Sequence, residues 1–320
     1  MTGWRAQIFW IFIGLTVVNG PLQAFPERSL TLILPYAATG TPDMEGTPRM
    51  TKMVKLVQSL STPSLADLLA QGAAAGLGAV LDQTVQIERR PGNRGMDGMH
   101  RASSAAADGH TLLFAAVPVI GEDDIAIEAN GPLRNFDSVA VIARMPMAFV
   151  VEERSQVLRL RDLLTQVRRN PARIALATLG PFSSSAFAAA ELQRAASVSF
   201  LTVEYNGAVA ALNAVATRNV EAAMVPLPTA LPHVGGGKLK IVAVTSSVRH
   251  PAIPLIPTMV EAAVSGYSAE GGFGLFTAKG VPAKTLEVLR RAAGSVIEEE
   301  GWRRLLVVRG LLPPASRLVH

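Results

Sequence analysis

Short apolar runs alternate with amphipathic segments along the chain, and this alternation predicts the fold class. Runs that are apolar on both faces, as expected of buried strands, lie at residues 29–35, 111–117, 139–143, 148–151, 174–177 and 241–245. Between them apolar residues recur at helical spacing, as in the segment 160–167, which Asn170 and Pro171 terminate. Similar patterns predict helices at 184–196, 208–217 and 286–297. Strands that alternate with helices predict an α/β protein with largely parallel sheets.

Composition narrows the functional classes. The chain has 320 residues, of which 49% are hydrophobic and 17% charged, so we expect about two folded domains and not a disordered protein. It has no cysteine, which excludes disulfides, thiolate metal sites and a cysteine nucleophile. Its five histidines show no metal-ligand spacing, so no metal site is expected. The net charge of +5 is spread along the chain without interleaved aromatic residues, which argues against nucleic-acid binding.

The N-terminal segment has the pattern of a secretory signal. Arg5 is the only charged residue among the first 26, and an apolar stretch of 11 residues follows at 8–18. Helix-breaking residues at 19–21 then precede Leu22-Gln23-Ala24, which fits cleavage after Ala24. The alternative is an uncleaved membrane anchor, but the stretch is short for a span of about 20 residues. We therefore expect a signal peptide over residues 1–24 and a periplasmic protein.

Two predicted strand-to-helix loops are candidate anion sites. Residues 36–43 read Y-A-A-T-G-T-P-D, and residues 178–185 read T-L-G-P-F-S-S-S. Small residues at a helix start expose backbone N–H groups, and serines add hydroxyl donors, which favours capture of a carboxylate or phosphate. The alternatives are an ordinary turn for the first loop and helix capping for the second. A serine nucleophile is a third possibility, but the second loop lacks a G-x-S-x-G elbow and a local acid–base partner.

Several motifs, in the right order, resemble the periplasmic solute-binding receptors of tripartite tricarboxylate transporters, also called Bug receptors. They are F-P-E-R-S-L at 25–30, P-Y-A-A-T-G-T-P-D at 35–43, R-P-G at 90–92, A-D-G-H-T-L-L at 107–113, V-E-Y-N-G at 203–207, L-P-H-V-G-G-G-K-L at 231–239, A-V-T-S at 243–246, and P-L-I-P-T with E-A at 254–262. The resemblance extends from about residue 25 to residue 293, with a break over residues 44–64.

The resemblance implies a two-lobed α/β fold of the type II periplasmic-binding-protein (Venus-flytrap) class. Lobe one would comprise residues 25–142 plus 269–320, lobe two would comprise 143–268, and the chain would cross near Ala143 and Gly271. Such a receptor holds a small carboxylate between its lobes and delivers it to membrane permease subunits. The family implies no catalysis, no cofactor and no metal. We expect a monomer.

The resemblance also implies which residues hold the ligand, through backbone amides, hydroxyl groups and bridging waters. These candidates are Tyr36, Ala37, Thr39, Gly40, Thr41, Asp43, Ala116, Val117, Thr178, Ser183, Ser184, Ser185, Tyr205, Asn206, Gly207 and Val225.

The chain also departs from the family pattern. Pro42 removes a backbone donor from the first loop, and Val225-Pro226 replaces a common Asp-Asn pair. Polar residues after the third strand are replaced by the apolar segment 117–119. Residues 44–64 form an atypical insertion, and the family's terminal helix is missing. These departures leave a second hypothesis open, a degenerate or repurposed paralogue with a sensory or non-transporting role.

Overall fold

The computed structural model describes residues 25–36, 64–121, 124–125, 131, 133–181 and 183–314. Its strands are β1 (Leu30–Leu34), β2 (Val85–Arg89), β3 (Thr111–Ile120), β4 (Asp124–Ile125), β5 (Phe136–Met145), β6 (Met147–Glu152), β7 (Ala175–Thr178), β8 (Leu201–Glu204), β9 (Ala222–Pro226), β10 (Leu239–Val244) and β11 (Glu270–Ala278). Its α-helices are α1 (Leu65–Leu81), α2 (Met96–Ser103), α3 (Leu160–Arg169), α4 (Ser184–Ala196), α5 (Ala208–Ala216), α6 (Leu227–Ala230), α7 (Ala283–Glu298) and α8 (Glu300–Val308).

The strands form two sheets. The first has the order β2-β1-β3-β11-β5, with β4 paired to β3, and the second has the order β10-β6-β9-β7-β8. The α/β class is confirmed, but both sheets are mixed, so the expectation of largely parallel sheets was wrong. Strand β11 runs antiparallel to β3 and β5, and β6 runs antiparallel to β9 and β10. The chain reaches each of these two strands from the other sheet, so each runs opposite to the strands beside it.

The first sheet is covered on both faces, which explains why β1 and β3 are apolar without alternation. Leu32 and Leu34 of β1 lie in one hydrophobic cluster with α1, whereas Ile33 lies in another with Ala102 of α2. Helix α1 begins after Ser64, whose hydroxyl accepts a hydrogen bond from the amide of Asp67 at 3.1 Å. Its small residues then allow α7 and α8 to approach closely.

That close approach occurs at Gly72 and Gly76. A Cβ added at Gly72 would lie 2.6 Å from the indole of Trp302, and one at Gly76 would lie 2.8 Å from Val296. The indole N–H of Trp302 also donates to the carbonyl of Ile142 at 3.0 Å. This face of α1 is therefore a close-packing surface, since only a hydrogen atom fits at these two positions.

The chain passes between the sheets at two points. Met145 ends β5 in the first sheet and Met147 begins β6 in the second, so Pro146 alone separates them. The return follows β10 and ends where Glu270 begins β11. The largest hydrophobic cluster is continuous across both sheets and includes Met145, Met147 and Phe273. The two-lobed architecture thus has a shared core beside the two crossings, at Pro146 and before Glu270. We call this region the hinge.

A C-terminal segment also reaches this hinge. The amide of Arg144 donates to the carbonyl of Leu312 at 2.8 Å, and the amide of Leu312 donates back at 2.9 Å. The atypical insertion and the proposed signal peptide lie outside the described residues, except for Ser64 at the start of α1. In the part of the chain that the structure describes, no helix combines the length and apolar character required to cross a membrane.

Candidate functional site

The second candidate loop connects β7 to α4, and Ser183 caps the helix. Its hydroxyl accepts from the amide of Ala186 at 3.1 Å and donates to the carbonyl of Gly180 at 2.7 Å. The capping role considered as an alternative is therefore present. No acidic residue lies in the first turn of α4. The positive end of the helix dipole is thus not neutralised by a side chain of that turn.

Ser184 and Ser185 lie inside the protein. The hydroxyl of Ser184 donates to the carbonyl of Val117 at 3.0 Å, and the hydroxyl of Ser185 donates to the carbonyl of Met224. The first of these bonds joins the start of α4 to β3 of the first sheet. Both side chains fix the position of the helix, so their contribution to a ligand would come from the backbone.

The same contacts argue against a serine nucleophile, the third possibility for this loop. Ser183, Ser184 and Ser185 each donate to a backbone carbonyl, not to a histidine or a carboxylate. These contacts supply no general base that would activate a serine oxygen. Within the described segments, no group of histidine, aspartate or glutamate side chains could hold a metal ion.

Thr178, at the end of β7, carries a buried hydroxyl with no partner among the described residues. The residue is 1% exposed, and Oγ1 makes no hydrogen bond there. Strand alternation puts Thr178 on the same face as Leu176, whose cluster includes residues of α4. An unsatisfied buried hydroxyl costs about 1–3 kcal/mol. A ligand oxygen that reached this hydroxyl beside the start of α4 would remove that cost.

The loop after β8 adjoins Thr178. The amide of Tyr205 donates to the carbonyl of Thr178 at 2.8 Å, and Gly207 has a φ of 102°, a conformation that favours glycine. Helix α5 then starts at Ala208 with no side-chain cap and no acidic residue in its first turn. Tyr205, Asn206 and Gly207 therefore bring a second open helix start next to the end of β7.

On the first sheet, Tyr36 and Ala116 form one unit. The phenol oxygen of Tyr36 accepts from the amide of Ala116 at 2.6 Å, which connects the end of β1 to β3. Burial raises the pKa of Tyr36 to about 12, although the Ala116 amide acts in the opposite direction. The phenol is therefore neutral at physiological pH and keeps a proton to donate.

Two candidates contribute only through their backbone. Val117 and Val225 are 0% exposed, and each side chain packs in a hydrophobic cluster. The carbonyl of Val117 nevertheless accepts from Ser184, so this residue connects the first sheet to α4. The remaining candidates of the first loop, Ala37, Thr39, Gly40, Thr41 and Asp43, lie outside the described residues.

The sequence analysis missed an ion pair at the hinge. Arg144 donates through Nε and Nη2 to one carboxylate oxygen of Glu270, and both side chains are nearly fully buried. The signal was present in the sequence, because a lone arginine in the apolar run of β5 requires a buried partner.

The chain matches the model of the tripartite tricarboxylate transporter family receptor (TctC) over residues 69–316. The chain belongs to this family. Among curated relatives, the receptor is 24% identical over 312 residues to protein BugT of Bordetella pertussis, which covers 96% of this chain and 88% of BugT. It is 25% identical over 281 residues to a protein of Pseudomonas sp. (strain P51) from the tcbD-tcbE intergenic region, covering 86% of this chain and 76% of that protein.

A solved structure has the same fold. A TctC solute-binding protein from Polaromonas, without ligand, superposes with a TM-score of 0.67 at 21% identity and covers 90% of both chains. MatC from Rhodopseudomonas palustris, with bound malate, gives a TM-score of 0.62 at 24% identity and covers 91% of this receptor and 92% of MatC. The fold class expected from the motifs is thereby confirmed.

Proposed function

We propose that this receptor captures a small carboxylate between its two lobes and delivers it to the membrane permease subunits of a tripartite tricarboxylate-type transporter. The observation that carries this proposal is the hydroxyl of Thr178, buried and without a described partner at the end of β7. A ligand oxygen would satisfy it. The malate bound by MatC supports a carboxylate as the ligand class.

The lobes would be residues 25–142 plus 269–320 and residues 143–268, as the resemblance implies. The change of sheet between Met145 and Met147, and the start of β11 at Glu270, support crossings within a few residues of these limits. Because the candidate residues come from both sheets, a ligand between them would stabilise a closed arrangement.

The ligand would be held mainly by neutral donors. The starts of α4 and α5 supply backbone amides, Tyr36 supplies a phenol proton, and Thr178 supplies a hydroxyl proton. Each helix terminus contributes about 0.3–1 kcal/mol to anion binding. None of the described candidate residues carries a charge. The first loop, residues 36–43, would complete the site from lobe one.

Export to the periplasm belongs to the same proposal. It rests on the signal pattern of residues 1–24 and on the membership of a family of transporter receptors. We propose that the receptor acts there as a monomer and without a cofactor.

The test compares two threonine substitutions in the full-length protein. Thr178→Val removes the unpartnered hydroxyl at the candidate site. Thr277→Val removes another buried hydroxyl without a described partner, located in β11 and 0% exposed. Both changes should leave the free energy of unfolding unchanged or raise it, because each removes an unsatisfied polar group. Calorimetric titration with malate, succinate, citrate and acetate should show a loss of affinity of about tenfold only in Thr178→Val.

Equal carboxylate affinities in Thr178→Val and Thr277→Val would mean that the ligand does not contact the hydroxyl of Thr178. Absence of binding to every carboxylate by the unmodified protein would contradict the proposal and favour a repurposed paralogue.

A further inference from the structure

A cavity of about 440 Å³ lies at the hinge, apart from the candidate carboxylate site. Its lining includes Arg144 from the end of β5, Thr245 and Arg249 after β10, and Ser268 and Glu270 at the start of β11. None of the described residues of the two candidate loops lines it. The cavity is therefore bounded by both points at which the chain passes between the sheets.

Three hydroxyl groups on the cavity wall accept a hydrogen bond from a backbone amide, which leaves their protons available to donate. The oxygen of Thr245 accepts from the amide of Met147 at 2.8 Å, and that of Ser268 accepts from Gly121 at 2.8 Å. The oxygen of Thr258 accepts from the amide of Glu261 at 3.2 Å. Since each oxygen is occupied by a backbone amide, and no bond to a described residue uses its proton, each hydroxyl can donate to a ligand.

Two guanidinium groups add further donors. Arg144 uses Nε and Nη2 for Glu270, and Arg249 uses Nε for Glu261 and Nη1 for the carbonyl of Pro254. A guanidinium has five N–H donors, so both retain N–H groups beyond these bonds. Hydrogen bonding to Arg249 lowers the pKa of Glu261, so this pair remains ionised at neutral pH.

We propose that this hinge cavity binds a small oxyanion, such as phosphate or a carboxylate, through the hydroxyls of Thr245, Thr258 and Ser268 and the outward N–H groups of Arg144 and Arg249. Each carboxylate on the wall is paired with an arginine, and the three hydroxyls and the two guanidiniums still offer N–H and O–H donors, which favours a ligand made of acceptors. An oxyanion bound here contacts both crossing segments, so its occupancy depends on the angle between the lobes.

The experiment uses the full-length Thr178→Val protein, in which the candidate carboxylate site is weakened. Inorganic phosphate and acetate are titrated separately, with ³¹P and ¹³C NMR line broadening as the measurement. Ser268→Ala and Arg249→Gln are then added one at a time. Ser295→Ala on the exposed face of α7 is the matched control, because that hydroxyl only donates to the carbonyl of Arg291.

We expect at least one of the two anions to bind, and its affinity to fall about tenfold with Ser268→Ala or Arg249→Gln but not with Ser295→Ala. Binding of phosphate but not acetate would identify a phosphate site, and the reverse would identify a carboxylate site. The proposal is overturned if neither anion binds, or if all three added substitutions have equal effects. The proposed function is tested separately, since it depends on Thr178 and not on the cavity.

Discussion

The candidate carboxylate site and the hinge cavity both lie where the two sheets meet, but they are built from different chemistry. The described residues of the candidate site offer neutral hydroxyls, a phenol and backbone amides, whereas the cavity contains two ion pairs. Neutral donors do not titrate near physiological pH, and they have no side-chain countercharge to displace. The comparison indicates that the charged groups, and with them the electrostatic contribution to interlobe stability, are concentrated at the cavity.

The largest effect should come from breaking the buried ion pair. Arg144→Met removes the arginine that pairs with the buried carboxylate of Glu270, which should lower the free energy of unfolding by about 3–5 kcal/mol. Guanidinium denaturation is the measurement. Arg249→Met is the control, because its pair with Glu261 is 44% and 45% exposed and should contribute at most about 1 kcal/mol. Similar losses of stability in Arg144→Met and Arg249→Met would show that the buried ion pair contributes no more than the exposed one.

A second effect should come from β11, the strand that passes both regions. A Cβ added at Gly272 would lie 2.7 Å from Val119 Cγ2 and 2.9 Å from the carbonyl oxygen of Ala143. Gly272→Ala should therefore cost about 1–3 kcal/mol of stability in thermal or chemical denaturation. Gly236→Ala is the control, since a Cβ at Gly236 would have no neighbour within 4 Å. An equally stable Gly272→Ala protein would mean that β11 has more room than these distances allow.

A third, smaller effect separates capping from ligand binding at α4. Ser183→Ala removes the N-cap and should cost about 1 kcal/mol of stability. Ser183→Asp restores a capping oxygen but adds a negative charge at the helix start. The aspartate variant should thus be as stable as the natural protein in thermal denaturation and bind malate more weakly in calorimetry. Unchanged malate affinity in Ser183→Asp would exclude the start of α4 as the carboxylate contact.

The smallest effect concerns pH, through a histidine near the hinge. His250 is 0% exposed; its Nδ1 accepts from the amide of Ala252 at 3.1 Å, and its Nε2 therefore donates to the carbonyl of Leu311 at 3.2 Å. Burial lowers the pKa of His250 in the folded protein. The unfolded chain, with a histidine pKa of about 6.5, binds the proton more readily, so stability should decline as pH falls below about 6.5.

Denaturation curves between pH 5 and pH 8 measure this decline. His250→Gln cannot take up the proton and should flatten the dependence over that range. If His250→Gln loses as much stability at low pH as the natural protein, other titratable groups cause the decline.

Elements with clear local signals could be predicted from the sequence. The bounds of α4 match because Ser183 supplies a cap and alanines follow. Strands β1, β3 and β7 lie where continuous apolar runs predicted them, although β3 extends three residues beyond its predicted end, to Ile120. The antiparallel direction of β6 and β11 could not be predicted in the same way. A buried strand is apolar whichever way it runs, so direction depends on the path of the chain between the sheets.

The side chains of the candidate site show the same limit. The sequence identified the three serines at the start of α4, but capping, core and ligand roles use the same residue type. Only the distances to Gly180, Val117 and Met224 distinguish them. Thr178 was predicted for its position after a strand, whereas its missing partner is visible only once the surrounding backbone is in place.

The packing of Trp302 against Gly72 has a spectroscopic consequence. The chain has three tryptophans, and Trp4 and Trp10 both lie within residues 1–24. A secreted form without that segment would contain one indole, which is 4% exposed and bonded to the carbonyl of Ile142. Its fluorescence would be emitted at short wavelength while α8 stays packed on α1 and would shift to the red when water reaches the ring. That form would therefore carry a built-in, label-free reporter of the packing between α1 and α8.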